Sequence, residues 1–113
     1  MRVLVCGSRH FNDYKLLEET LDGIGITEVI HGAARGADRL SGDWAKSNGV
    51  RVQEFPANWD VYGRRAGPIR NYQMLKEGKP ELVVAFIAKD SRGTKHMVEI
   101  SRKAGIPVKE IQI

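Results

Sequence analysis

LVVAFIAKDSRGTKHMVEISRKAGIPVKEI, residues 82–111, contains one complete supersecondary unit. Leu82–Ile87 is an unbroken apolar run rich in Val and Ile, which reads as a strand buried on both faces. Met97, Ile100 and Ala104 then recur at helical spacing, and Gly105 stands just before a second strand-like run, Val108–Ile111. Strand, helix and strand in so few residues make a βαβ crossover, and crossovers of that kind build parallel sheets. The rest of the chain repeats the pattern. Strand-like runs lie at Val3–Cys6, Glu28–His31 and Val50–Phe55. Helical spacing joins Tyr14, Leu17, Leu21 and Ile24, and again Ala37, Leu40, Trp44 and Ala45. A further helix is announced by Gly67 and by Pro68 at its first position, with its pattern ending near Lys76 and Gly78. Gly25, Gly49, Gly78 and Gly105 each precede a strand, where a helix C-terminus favours a left-handed residue. Right-handed crossovers then lead to an α/β, three-layer, doubly wound Rossmann-like fold: a five-stranded parallel sheet in the order 3-2-1-4-5.

The 113 residues leave room for one domain, residues 1–113. Hydrophobic residues at 42% and charged residues at 28% argue against a disordered or fibrous chain. No apolar run is long enough for a bilayer, and MRVLVCGSR lacks a signal-peptide cleavage site. A single cysteine, Cys6, inside a strand-like run leads to the expectation of a reducing cytoplasm. The net charge of +4 favours an anionic ligand over a cationic one.

In an open parallel sheet, helix N-termini and strand C-termini meet along one edge, and ligands bind there. The sequence places on that edge Gly7-Ser8-Arg9-His10 after the first strand, Gly32-Ala33-Ala34-Arg35-Gly36-Ala37-Asp38 after the second, and Lys89-Asp90-Ser91-Arg92-Gly93-Thr94 after the fourth. Arg9, Arg35, Arg39, Arg64, Arg65, Arg70 and Arg92 all fall on or beside it, whereas most lysines fall on helix bodies or at the far end. Arginine suits bidentate recognition of phosphate, and glycine lets backbone amides approach an anion. The expected site is therefore of phosphate type; the plainer alternative pairs these arginines with Asp38, Asp60 and Asp90. Arg70 and Asn71 are expected in the first turn of the helix opened by Pro68, where a cation opposes the helix dipole and calls for an anionic partner.

The three-glycine dinucleotide fingerprint and the Gly-Lys-Ser/Thr phosphate loop are both missing. Gly93-Thr94 offers backbone donors and a hydroxyl, or simply a helix cap. The carboxylates open to acid–base work are Asp38, Asp90 and Glu99, against the alternatives of a helix-start charge at Asp38 and an ion pair with Lys103 at Glu99. His31 ends a strand and reads as a satisfied core histidine, and His10, His31, His96 and Cys6 lack metal-ligand spacing, so no metal and no resident cofactor is expected. Trp59 and Tyr62 are placed to stack on a base or to pack over the sheet edge.

At MRVLVCGSR (residues 1–9), IHGAARGAD (30–38), GPIRN (67–71), GTKHM (93–97) and AGIPV (104–108), the chain resembles the YspA-like family of small bacterial and phage proteins. That family falls in the SLOG superfamily of Rossmann-like nucleotide-binding folds, with the cytokinin-activating phosphoribohydrolases and the DNA-processing protein DprA. The resemblance implies a nucleotide or nucleotide-derived ligand held by Gly7, Ser8 and Arg9 of the first loop, by Gly32, Ala33, Arg35, Gly36 and Asp38, and by Gly93 and Thr94 at the helix start, to which the reading of the basic edge adds Arg70, Asn71 and Arg92. It also implies a sensor or processing role, and the superfamily habit points to a homodimer. The hydrolases carry Pro-Gly-Gly-x-Gly-Thr-x-x-Glu, whose glutamate serves cleavage of the N-glycosidic bond. Here the matching stretch, Lys89 to Met97, has Asp90-Ser91 for the double glycine and Met97 for the glutamate. A thioether moves no proton near neutral pH, so binding is the leading expectation. Hydrolysis of a nucleoside monophosphate through Asp38, Asp90 or Glu99 is the alternative, and single-stranded nucleic-acid binding along the basic edge is the third.

Overall fold

The computed structural model describes residues 1–113. Strands β1 (Arg2–Gly7), β2 (Glu28–His31), β3 (Arg51–Glu54), β4 (Leu82–Ile87) and β5 (Val108–Gln112) form one parallel sheet in the order β3-β2-β1-β4-β5. The expected strand order is the observed one. β1 lies centrally, with Val3 opposite Leu82 and Gly7 opposite Phe86, so the C-terminal ends of β1 and β4 open side by side at the point where the chain order reverses.

Alternation along the central strands divides the core into two layers. Val3, Val5, Val84 and Phe86 face one side, covered by Leu17 and Leu21 of α1 (Tyr14–Asp22) and by Ala37, Trp44 and Ala45 of α2 (Ala37–Ser47). Leu4, Cys6, Val83, Ala85 and Ile87 face the other, covered by Met74 and by Met97, Val98 and Ile100 of α5 (Arg92–Lys103). Burial on both faces is why β1 and β4 carry apolar runs without polar alternation. β3 is an edge strand with exposed Arg51, Val52 and Glu54, and is correspondingly shorter than the run Val50–Phe55 suggests.

The third crossover departs most from the sequence reading. A short helix α3 (Trp59–Tyr62), capped by Asn58 Oδ1 accepting from the Val61 amide, leads through a 3-10 turn at Gly63–Arg65 into α4 (Ala66–Gln73). Pro68 is thus the third residue of α4 rather than its first, a position whose amide has no intrahelical partner in any case. Arg70 lies in the last turn of α4, and a π-turn (Met74–Gly78) continues beyond it. The first-turn argument for Arg70 does not hold. The left-handed residue ending this segment is Lys79, at φ 50°, and not Gly78; Gly78 is small because a Cβ there would stand 3.1 Å from the Ile30 side chain.

Candidate functional site

At the reversal point lies a cleft of about 410 Å³, within the range of roughly 300–1,000 Å³ that small-molecule sites occupy. Cys6, Gly7, Ser8, Arg9 and His10 line it from the end of β1, Ala34 and Asp38 from the loop into α2, and Arg70, Asn71 and Met74 from α4 and its continuation. Asp90, Ser91, Arg92, Gly93, Thr94 and Met97 complete it from the loop after β4 and from α5. The first wall is held tightly. The Ser8 amide donates to the Phe86 carbonyl (3.0 Å), the Ser8 carbonyl accepts from the amides of Phe11 (3.1 Å) and Ala37 (3.3 Å), and the Phe11 ring stacks on Phe86 at 4.7 Å. Gly7 is required by this packing, because a Cβ there would meet Ala37 Cβ and the Phe86 carbonyl oxygen, both at 2.7 Å.

The second wall is the start of α5. Ser91 precedes the helix but its hydroxyl accepts from the Ala88 amide (3.1 Å) and makes no capping bond, so the amides of Gly93 and Thr94 have no partner within the chain. Thr94, buried at the third helical position, is not the cap. Nothing lies within 4 Å of where a Gly93 Cβ would be, so nothing inside the protein demands glycine there.

The third wall centres on Asp38, which is 5% exposed. One carboxylate oxygen, Oδ2, accepts from the amides of Gly32 (3.0 Å) and Ala34 (3.3 Å), and the other has no partner in the protein and opens on the cleft. Burial pushes this carboxyl up to about 6, opposed by the Ala34 and Gly32 amides and by the Arg70 guanidinium. Arg70 Nη1 donates to the Gly32 carbonyl and its Nε to Asn71 Oδ1 (3.2 Å), while Asn71 Nδ2 donates to the Gly93 carbonyl (3.2 Å) and lies 3.1 Å from His96 Nδ1. The GPIRN segment thereby straps the loop after β2 to the first turn of α5. Beneath these groups the Cys6 thiol is held neutral by burial and by the nearby Asp38 charge, which removes it as a nucleophile.

Of the residues expected at the site, Gly7, Ser8, Arg9, Asp38, Arg70, Asn71, Arg92, Gly93, Thr94 and Asp90 converge on this cleft. Gly32, Ala33, Arg35 and Gly36 do not line it. Gly32 packs under the Arg70 guanidinium, and Gly36 carries φ 75° with its α-carbon against the Ser8–Arg9 backbone, so both glycines serve close packing. Ala33 (φ 58°) and Arg35 border a separate hollow beside β3. Glu99 is exposed and paired with Lys103 at 3.1 Å, away from the cleft. Trp59 and Tyr62 are exposed on α3 and do not reach it. His31 is buried and neutral, its Nδ1 accepting from the Ala33 amide (2.9 Å) while burial lowers its pKa. Ala34 and Ser91 stand in the loops placed on this edge without being singled out as ligand-binding, and Cys6 and Met74 escape a reading based on chemistry-bearing loops; the alternation of β1, which turns Cys6 to the Met97 side, is the one signal for either of these two. No group of three or more His, Cys, Asp or Glu converges to hold a metal.

Arg9, Arg35, Arg39, Arg64, Arg65, Arg70 and Arg92 make no ion pair; the cations that do are Arg2, Arg102, Lys103 and, if protonated, His31. None of these arginines is within ion-pair distance of Asp38, Asp60 or Asp90, although the Arg70 guanidinium lies near enough to Asp38 to favour its charge.

A solved structure of DNA processing protein A (DprA) from Streptococcus pneumoniae superposes with a TM-score of 0.80 over 96% of this chain at 19% identity. The present chain spans about half (49%) of that DprA chain, and the likeness is one of fold. The Gene 61 protein of Mycobacterium phage D29 is 36% identical over 95% of this chain and 93% of its own length. The model of the YspA, cpYpsA-related SLOG family matches residues 1–62, which carry the first wall of the cleft and Asp38. With that match and that degree of identity to the phage protein, the chain belongs to the YspA, cpYpsA-related SLOG family.

Proposed function

We propose that the cleft binds a nucleotide or nucleotide-derived ligand, with its phosphate at the start of α5 and a sugar hydroxyl or base amine on Asp38. The observation that carries this reading is a juxtaposition: the uncapped first turn of α5, beside unpaired Arg9 and Arg92, lies across one cleft from a buried carboxylate with a free oxygen. Free first-turn amides and guanidinium groups favour phosphate. A carboxylate accepts the hydroxyl or amine donors that a bare phosphate lacks. Calorimetric titration with AMP tests it. Arg92→Ser is expected to weaken binding by about 1.5–3 kcal/mol, the scale of a hydrogen bond to a charged group, and to leave stability within about 0.5 kcal/mol. Absence of AMP binding, or unchanged affinity in both Arg92→Ser and Arg9→Ser, rejects the assignment.

Hydrolysis of the N-glycosidic bond has one observation in its favour, the Asp38 carboxyl pushed up to about 6, close to the pH at which a general acid or base works best. Met97, at the position of the hydrolases' glutamate, is buried in the core layer under the cleft. The expected result with AMP is no free adenine; release that Asp38→Asn or Asp90→Asn abolishes would make the protein a hydrolase.

Single-stranded nucleic acid is supported by Trp59, Val61, Tyr62, Ile69 and Tyr72, all exposed, alongside unpaired Arg64 and Arg65. Trp59 is 59% exposed and Trp44 is buried, so quenching of tryptophan emission by an oligothymidylate reports this face directly. Emission that shifts with protein concentration and not with oligonucleotide assigns the face to a second copy of the chain.

A further inference from the structure

We propose that the ligand carries a second nucleotide unit, seated in the hollow at the ends of β2 and β3, with Ala34 as the saddle between the two halves. This rests on the reading of the cleft as a nucleotide site and names the class of its ligand. The hollow has a volume of about 560 Å³ and runs from the ligand-binding edge, at His31 and Ala33, along α2 and β3 as far as Lys46 and Val52. Ala34 borders both, so a molecule leaving the cleft past the Asp38 loop enters the hollow directly.

The hollow's chemistry is that of a nucleotide subsite rather than of a simple anion site. Arg35, Arg39 and Lys46 border it from the start and one face of α2, and none of them makes an ion pair. Asp43 and Glu54 border it as well, and carboxylates that would repel a bare phosphate tail accept hydrogen bonds from sugar hydroxyls. Glu54 is 63% exposed, and its one charged neighbour, His31 Nε2, is 3.8 Å away, beyond hydrogen-bonding distance.

His31 supplies the independent sign of a built site. The ring is 3% exposed, its Nδ1 accepts from the Ala33 amide, and Nε2 carries the proton with no acceptor in the chain, on the wall of the hollow. No buried side-chain nitrogen or oxygen lacks a partner, so Nε2 opens on the hollow and is free to donate to a ligand oxygen there. Gly42 completes the arrangement, because a Cβ there would stand 3.0 Å from Nε2 and crowd the ring from the α2 side.

The test compares three ligands by calorimetry on the intact chain: AMP, the 5′-phosphorylated dinucleotide pApA, and NAD, the last two separating phosphodiester from pyrophosphate linkage. At least one dinucleotide is expected to bind tenfold or more tighter than AMP. The double variant Arg39→Ser/Lys46→Ser, which changes exposed and unpaired side chains outside the cleft, is expected to return that dinucleotide to the affinity of AMP while AMP itself binds as before. If AMP binds but both dinucleotides stay within threefold of it, or if their advantage survives in the double variant, the ligand is confined to the cleft and the inference is wrong. If none of the three binds, the nucleotide reading itself falls, and this inference with it.

Discussion

Asp38 accepts two amide bonds through one oxygen and is otherwise cut off from water except through the cleft, so its charge is poorly hydrated in the folded state. Its folded pKa, pushed up to about 6, exceeds the ordinary 3.8. Between those values the folded protein binds more protons than the unfolded chain, so the contribution of Asp38 to stability falls as pH rises through this window. Below about pH 4 the penalty is absent; above about pH 6 it is complete, and two units correspond to about 2–3 kcal/mol. Asp38→Asn keeps an oxygen for the Gly32 and Ala34 amides and removes the charge. The variant should match the wild type near pH 4 and exceed it by about 2–3 kcal/mol at pH 7 in urea denaturation. A constant difference across that range would show that burial of the charge is not what shifts the carboxyl.

At the scale of elements, the strap formed by α4 decides how the walls of the cleft stay in register. Arg70→Ala strands the Gly32 carbonyl and Asn71 Oδ1, so a loss of about 1–3 kcal/mol is expected, and Arg70→Lys, with one point charge for two divergent acceptors, should recover only part of it. Full stability in Arg70→Ala would make Arg70 a ligand-binding residue alone. Arg70 lines the cleft, but not for the reason the sequence suggests, because Pro68 reads as a helix start and nothing local reveals that the 3-10 turn runs straight into α4. The glycines show the same limit. Gly36 and Gly93 look alike in sequence, yet one is packed against backbone at φ 75° and the other faces open space. Gly36→Ala should therefore cost at least about 2 kcal/mol, whereas Gly93→Ala should stabilise by about 0.4–1 kcal/mol and weaken AMP binding. The strands and their order were legible because apolar runs and crossovers are local signals; which glycine is packed and which faces open space depends on neighbours distant in sequence.

At the scale of the whole molecule, two of the three arginines away from the ligand-binding edge are paired, and none of those on or beside it is. Arg2 pairs with Glu81 ahead of β4, and Arg102, in the last turn of α5, with Glu110 at the middle of β5; Arg51, at the start of β3, makes no ion pair. On or beside the ligand-binding edge Arg9, Arg35, Arg39, Arg64, Arg65, Arg70 and Arg92 have no such partner. The parallel topology adds the positive ends of the helix dipoles to that same edge, so fixed charges and backbone act in one direction. An inorganic anion should find this end without any base to guide it. In an amide NMR titration with phosphate at low ionic strength, the largest shifts are expected at Gly7–His10 and Asp90–Thr94, followed by Ala34–Arg39, with Arg2, Glu28, Arg51 and Glu81 unmoved. Because exposed charges are screened over a Debye length of about 8 Å in 0.15 M salt, the Ala34–Arg39 shifts should fade first on adding sodium chloride, while those at Gly93 and Thr94, where amides donate directly, persist. Equal shifts at both ends of the sheet would mean that the arginine arrangement sets solubility and selects no ligand.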